Sequence, residues 1–384
     1  MRALFSCVPG AGHLNPLVPL AHAFADSGHE VAFATSPYFG ARVEAEGFAF
    51  LPAGMDADER RERFAPYQAE LLALPLGERR GLLFPRIFGR IEAPAKLPAL
   101  REVVRAWRPD LVVHDSADLA APIAAAEADV PIVNHSFGRL VPLDIVARAG
   151  AETERLWGDV GLSPEPFGGM FRGIYADIAP PSLRTEAVPV GVRVEELRPV
   201  PVQSSEPTPV WVEQLPDRPT VYVTLGTVFN ELPVFRILLD GLEELDCNVI
   251  ATIGLNADPE ALAPIPANAR VERYVPQSLL LPHCSAVVGH GGSGTMLADL
   301  AAGLPLLLVP QSADQFDNAA QATQVGAART LMPDELTEDA ARTAVVSLLA
   351  EESYRESSRR IADEIAAMPS PDELVPVLAE FAAA

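Results

Sequence analysis

Cysteine is scarce in this 384-residue chain: Cys7, Cys247 and Cys284 are odd in number and lack metal-ligand spacing. That excludes a disulfide framework and a cysteine-built zinc site, and it predicts free thiols in a reducing compartment. Basic residues are outnumbered, 29 Lys and Arg against 52 Asp and Glu, for a formal net charge of −23. A surface of that sign repels nucleic acid and anionic lipid, so recognition of either through a basic patch is not expected. No apolar run approaches the roughly 20 residues of a membrane span. The opening Met1 to Gly12 has too short an apolar run for a signal peptide. The expected setting is the cytoplasm, and the sequon Asn134-His135-Ser136 is then a chance match.

What the chain has is core-forming material, 49% hydrophobic over a length worth about two domains. Short apolar runs rich in β-branched residues predict strands at Leu4 to Val8, Val31 to Thr35, Leu111 to His114 and Ile132 to Asn134. Helical segments such as Leu17 to Asp26 and Ala120 to Ala128 separate them. Strands alternating with helices predict a parallel sheet. The pattern restarts at Thr220 to Leu225 and continues through Asn248 to Ile253, Ala286 to Gly289 and Leu306 to Val309. Six prolines between Arg198 and Pro219 suit an extended linker and argue against a helix there. The expected organisation is an N-terminal α/β domain over 1–200, a linker over 201–218, a second α/β domain over 219–366, and a terminal helical segment over 367–384.

The second half carries the sharpest signal, HGGSGTMLADLAAGLPLLLVPQSADQFDN from His290 to Asn318. A strand leads into Gly291, Gly292 and Gly294, where missing side chains let backbone amides approach an anion, and Ser293 and Thr295 add hydroxyls. The run from Met296 to Ala302 is helical in composition, so the turn sits at a helix N-terminus suited to phosphate or diphosphate. The next strand delivers Gln311, Asp314, Gln315 and Asn318 to the carboxyl edge of the sheet, where ligands of open α/β sheets bind. One anion nest beside short polar side chains predicts a ligand with a phosphorylated half and a hydroxyl-rich half.

In the first half, Gly10, Gly12 and His13 follow the first strand, with Asn15 placed to cap a helix. A dinucleotide fingerprint fails twice: Asn15 stands where its third glycine belongs, and the second strand ends Ala34-Thr35-Ser36 with no acid for a ribose. Asp115 closes the third predicted strand and shares the sheet edge with His13. An aspartate there can hold one imidazole nitrogen and leave the other to accept a hydroxyl proton. The plainer alternatives are a capping or packing role for His13 and a helix cap for Asp115. His114 points to the other strand face and reads as structural.

GAGHLNP near the start, Tyr274-Val275-Pro276-Gln277, HGGSGT and DQFDNA together resemble family 1 glycosyltransferases of the GT-B fold, above all actinobacterial enzymes that decorate antibiotics and other polyketides. The resemblance spans nearly the whole chain. It implies two Rossmann-like, doubly wound parallel-sheet domains facing a central cleft. It implies inverting, metal-independent sugar transfer from a nucleoside diphosphate, with the acceptor on the N-terminal domain and the donor on the C-terminal one. By resemblance His13 matches the base and Asp115 its partner. His290, Gly291, Gly292, Ser293, Gly294 and Thr295 match the diphosphate nest, and Asp314 and Gln315 the sugar contacts. Tyr274, Val275 and Gln277 match the stretch that sandwiches the donor's nucleobase, and Gly226 and Thr227 a loop reaching the donor. The terminal helix, from Glu373, would dock on the N-terminal domain. Related UDP-sugar enzymes often carry a ribose-binding glutamate where this chain has Ala298, so a dTDP-linked deoxysugar is the expected co-substrate, with no other cofactor. Asp299, one position on, is rotated about 100° and should face elsewhere.

The acceptor is expected to be a hydrophobic aglycone. Its candidate contacts are Gly12, Phe64, Phe84, Phe88, Phe137 and Met170, although the spacing of Phe84, Ile87, Phe88 and Ile91 equally suits a helix core. The glycines of Pro164 to Ile174 suggest a segment that closes over a bulky acceptor. Asp56-Ala57-Asp58 spells a metal-diphosphate string of another fold but reads as a solvated loop or a helix start, and no metal is expected. Competing functions are a UDP-sugar GT-B enzyme, either a cell-wall glycosyltransferase or an N-acetylglucosamine 2-epimerase, and a non-catalytic nucleotide-sugar binder. The residues leave open the sugar, the aglycone, the attacking atom, homodimer formation and any cytochrome-like helper protein.

Overall fold

A computed structural model describes residues 1–75, 79–201, 204, 206–226, 232–255 and 257–384. The chain forms two compact units: Met1–Ala179 with Arg184–Val200 and Met368–Ala384, and Pro180–Leu183 with Pro201–Ala367.

The first unit is built on a parallel sheet of seven strands: β1 (Arg2–Ser6), β2 (Glu30–Thr35), β3 (Ala49–Pro52), β4 (Leu111–Asp115), β5 (Ile132–His135), β6 (Ile174–Asp177) and β7 (Arg193–Glu196). Their spatial order is β3-β2-β1-β4-β5-β6-β7. The second unit has β8 (Thr220–Thr224), β9 (Asn248–Thr252), β10 (Ala269–Glu272), β11 (Ala286–Gly289), β12 (Leu306–Leu308) and β13 (Ala328–Thr330), in the order β10-β9-β8-β11-β12-β13. Both orders reverse direction once, between β1 and β4 and between β8 and β11. At such a switch point the loops leave in opposite directions and open a crevice beyond the strand ends. Register sets Ser6 beside His114 and Thr224 beside Gly289, so the loops carrying His13, Asp115, Gly226 and His290 start at these two points.

Helices of the first unit include α1 (Ala11–Leu14), α2 (Val18–Asp26), α3 (Ala57–Leu72), α4 (Ala93–Trp107) and α5 (Leu143–Asp159); those of the second include α6 (Ser293–Ala301) and α7 (Gln315–Gln324). The closing helix α8 (Pro371–Ala383) belongs to the first unit, where it packs on α2. Ser370 starts it with a full capping box through Glu373. Apolar cores cover the sheets, with Val112, Ala121, Ile145 and Trp157 in one and Val223, Phe235, Leu307 and Val345 in the other. No helix among the described residues is long and apolar enough to cross a membrane.

Three local expectations fail. Asn15 does not N-cap a helix: it follows the single turn α1 with helical torsions, and its side-chain Oδ1 accepts from Arg42 at 2.9 Å. His13 therefore rides on a helical turn. Pro85–Glu92, expected as α-helix, is wound as a π-helix. Prolines at 85, 94 and 98 each lack the N–H of the regular ladder, and this wider winding lies just before two of them. The proline-rich stretch holds one helical turn, Val210–Glu213, started by Pro209.

Candidate active site

β1 ends in the core, and Gly10 turns the chain into α1, which presents His13 partly exposed. His13 Nδ1 lies 3.0 Å from Asp115 Oδ1, across 102 residues of sequence. Asp115 is buried, yet its carboxylate also accepts from the N–H groups of Val8 (2.9 Å) and Ala117 (2.8 Å). Burial pushes its pKa up, but His13 and these two donors outweigh that and leave the carboxyl below its ordinary value. It is ionised and can only accept, so Nδ1 of His13 donates and Nε2 keeps a free lone pair. Asp115 thus braces its own turn as well as the imidazole. His114 is fully buried with its pKa lowered by burial, a core histidine.

Aromatic rings flank His13. Phe137 lies 4.9 Å and Phe88 5.5 Å from it between centroids, both edge-on. Phe84 stands behind Phe88 at 4.9 Å and is buried. Gly12 is exposed with open space above it. Phe64 does not join this group; the Arg60 guanidinium stacks over its ring at 4.3 Å. Met170 was expected at the acceptor, but its side chain is 1% exposed within the core and contributes no surface. The neighbouring glycines do not make a free flap either. A Cβ on Gly150 of α5 would come within 2.4 Å of Gly168 N, so helix and loop are in backbone contact there, and Gly168 and Gly169 are buried. Asp56 accepts from the N–H groups of Asp58 and Glu59 and so starts α3, while Asp58 pairs with Arg61.

In the second unit, β11 runs into Gly291 at φ +82° and Gly292, which stands at the N-cap of α6 without a side-chain cap. The first returning bond is Met296 N–H to Gly292 O, so the N–H groups of Ser293, Gly294 and Thr295 have no acceptor within the helix. Space above Gly294 is open. His290 is buried between two glycines: a Cβ on Gly292 would lie 2.4 Å from its Nε2, and one on Gly226 2.7 Å from its ring. Burial lowers its pKa to about 4, so the imidazole is neutral, and its Nδ1 has no partner. The Ser293 hydroxyl, expected as a diphosphate donor, is committed to Asp314 Oδ2 at 2.6 Å; Ser293 has its backbone N–H left for an anion.

Ala313, at φ +56°, turns the loop so that Asp314 precedes α7. Gln315 Oε1 accepts from the N–H groups of Gln311 (2.7 Å) and Ser312 (2.9 Å), which pins the loop and reserves Nε2 as a donor. Asn318 ties Gly291 O, Ser293 Oγ and Asp314 Oδ2 together at 2.9–3.0 Å. Tyr274 is exposed and lines a surface cavity with Asp258, Glu260 and Arg273; Val275 is buried. Gln277 donates to buried Asp299, a contact the sequence did not suggest. Thr227 lies outside the described residues.

The profile of the family described as erythromycin biosynthesis protein CIII-like matches this chain with its N-terminal domain over residues 22–226 and its C-terminal domain over 236–381. The chain belongs to that family. The L-demethylnoviosyl transferase of Streptomyces niveus is 37% identical over 379 residues, 97% of this chain and 96% of that protein. Among solved structures, spinosyn forosaminyltransferase SpnP superposes with a TM-score of 0.80 at 27% identity, covering 100% of both chains. Glycosyltransferase VinC, solved in complex with dTDP, does so at 0.78 and 27% identity, again over 100% of both. This erythromycin biosynthesis protein CIII-like chain is a glycosyltransferase of the GT-B fold in the natural-product class.

Proposed function

We propose that this glycosyltransferase moves a deoxysugar from a dTDP-linked donor to a hydroxyl of a hydrophobic aglycone, with inversion and without a metal. The observation that carries the base assignment is the 3.0 Å contact between His13 Nδ1 and the ionised, buried Asp115, which leaves Nε2 as a proton acceptor beside Phe88 and Phe137. The acceptor oxygen forms its bond to the anomeric carbon from the side opposite the diphosphate. Its proton passes to Nε2 as the bond to the diphosphate oxygen breaks, and that electron pair leaves on the nucleoside diphosphate. Neutral His290, Thr295 Oγ1 and the N–H groups opening α6 supply preorganised donors for the departing charge. Gln315 Nε2 and Asp314 are the sugar contacts, and Tyr274, Val275 and Gln277 surround the donor's nucleobase.

Support for dTDP comes from Ala298, which removes a carboxylate that would bind ribose hydroxyls, and from the dTDP complex of the similar VinC. Thermal shift tests this: dTDP should stabilise the protein more than UDP, and both more than NAD. A preference for NAD sinks the proposal. Dockable aglycones are then found by incubating the protein with dTDP-sugars and polycyclic phenols or alcohols and reading products by mass. His13→Ala should cut kcat by about 100-fold to 10,000-fold, the usual contribution of a positioned base, with dTDP affinity unchanged. Wild-type turnover by that variant removes His13 as the base.

A further inference from the structure

Lys96 is the only lysine of the chain; the other 28 of its 29 basic residues (29 less one) are arginine. It is buried in the first turn of α4, and its ammonium donates to Cys7 O (2.7 Å), Ala34 O (3.1 Å) and Asp118 Oδ2 (2.6 Å). All three N–H groups are used. Their acceptors come from the end of β1, the end of β2 and the turn after β4, so one side chain ties together three segments at the sheet edge that carries His13 and Asp115. A compact ammonium can serve three diverging acceptors at this range, whereas a planar guanidinium cannot. The one departure from arginine thus falls where geometry requires it.

The link to Asp115 runs through a single peptide group. Cys7 contributes its C=O to Lys96, and the N–H of the same peptide, that of Val8, donates to Asp115 Oδ2 at 2.9 Å. The group is held at its oxygen by Lys96 and at its hydrogen by Asp115. Asp118 grips Asp115 a second time, its N–H donating to Asp115 O at 2.9 Å, and its carboxylate also accepts from Ser6 Oγ at 2.6 Å. We propose that Lys96 and Asp118 are positioning residues that keep Asp115 in line with Nδ1 of His13. The proposal rests on His13 being the base. A buried ion pair contributes little to stability over an apolar pair of similar size, which leaves orientation as its function here.

Two variants separate orientation from folding. Lys96→Arg keeps the charge and loses the three-way geometry; the double variant Lys96→Met/Asp118→Leu removes both charges. The measurements are kcat with the donor and aglycone pair returned by the mass-read panel, dTDP binding by calorimetry, and imidazole ¹⁵N NMR of His13, which needs no substrate. Both variants should fold, bind dTDP as the parent does, lose up to about 100-fold in kcat through misalignment, and show an altered His13 Nδ1 signal. In a His13→Ala background the same substitutions should cost nothing more, because they act only through the base. Parental kcat with an unchanged His13 signal overturns the proposal. So do losses that multiply with His13→Ala, and so does failure of both variants to fold, which would make the pair a folding element. Parental turnover by His13→Ala alone is a different result: it removes the base, whatever Lys96 does to the His13 signal.

Discussion

At the scale of the residue, this molecule separates two histidines by what surrounds each ring. His13 has an ionised carboxylate on one nitrogen and solvent access on the other side, which suits proton transfer. His290 is encased, its pKa lowered to about 4 by burial, and it can serve only as a neutral hydrogen-bonding group in the free protein. Its seat is made by absence. Gly292 has φ −62°, a conformation any residue adopts, so Gly292→Ala tests the space alone: its Cβ would stand 2.4 Å from His290 Nε2. The ring must shift, and dTDP binding should weaken by about tenfold, the loss of one hydrogen bond of roughly 1.5 kcal/mol, read by calorimetry. Unchanged affinity would mean that His290 does not touch the diphosphate. Cys7 illustrates the inert case: burial pushes its thiol up to about 12, so it stays protonated at neutral pH and is not a nucleophile.

At the scale of the element, α6 has two functions on two faces. Its N-terminal turn presents free N–H groups, while one turn and a half later Asp299 points inward and accepts from Gln277, at the start of a neighbouring helical turn. Burial raises the Asp299 carboxyl well above its ordinary 3.8, with the Gln277 bond only partly opposing this. The unfolded chain ionises there first, so folding loses stability as pH climbs above that ordinary value, until the folded carboxyl itself ionises. Asp299→Asn carries no such penalty. Its melting temperature should match the parent's near pH 3 and exceed it increasingly as pH rises above about 4. A constant difference across that range would show that Asp299 is charged in the folded state. The sheet elements differ in another way. The eight expected strands, β1, β2, β4, β5, β8, β9, β11 and β12, are all interior. The five that went unread include all four edges, β3, β7, β10 and β13. Edge strands such as Arg193–Glu196 are short, charged and half exposed, so their residues lack the apolar run that marks a buried strand. The fifth, β6, is four residues long and follows the glycine-rich loop.

At the scale of the whole molecule, the chain passes between its units four times, because Pro180–Leu183 belongs to the second unit and Met368–Ala384 to the first. Ser182 and Glu364 bond to each other, as do Ser182 O and Gln321, so the short segment is anchored within the second unit. The terminal helix buries Leu374, Val375 and Leu378 in the first unit, each worth roughly 1.5–3 kcal/mol. Ending the chain after Ala367 should therefore destabilise the first unit selectively. Calorimetry should resolve two transitions, with only the upper one still raised by dTDP. Loss of the dTDP effect would mean that the second unit depends on α8 for its own fold.

Much was legible from sequence because it is local. Apolar runs of β-branched residues reported the interior strands, glycines before a helical run reported the uncapped start of α6, and the motifs around His13, His290 and Asp314 reported a glycosyltransferase. Sequence by itself therefore determined the α/β class and the two sheets. Tertiary structure alone decided which residues meet. His13 reaches Asp115 across 102 positions only because β1 pairs with β4, and Lys96 reaches Cys7 and Asp118 only because α4 packs beside those strand ends. Met170 and Phe64 carry the same apolar chemistry as Phe88 and Phe137, yet only the latter two touch His13. Composition and spacing describe what a segment can do next to itself; contact between distant segments follows from strand order and packing, which no single stretch of the chain contains.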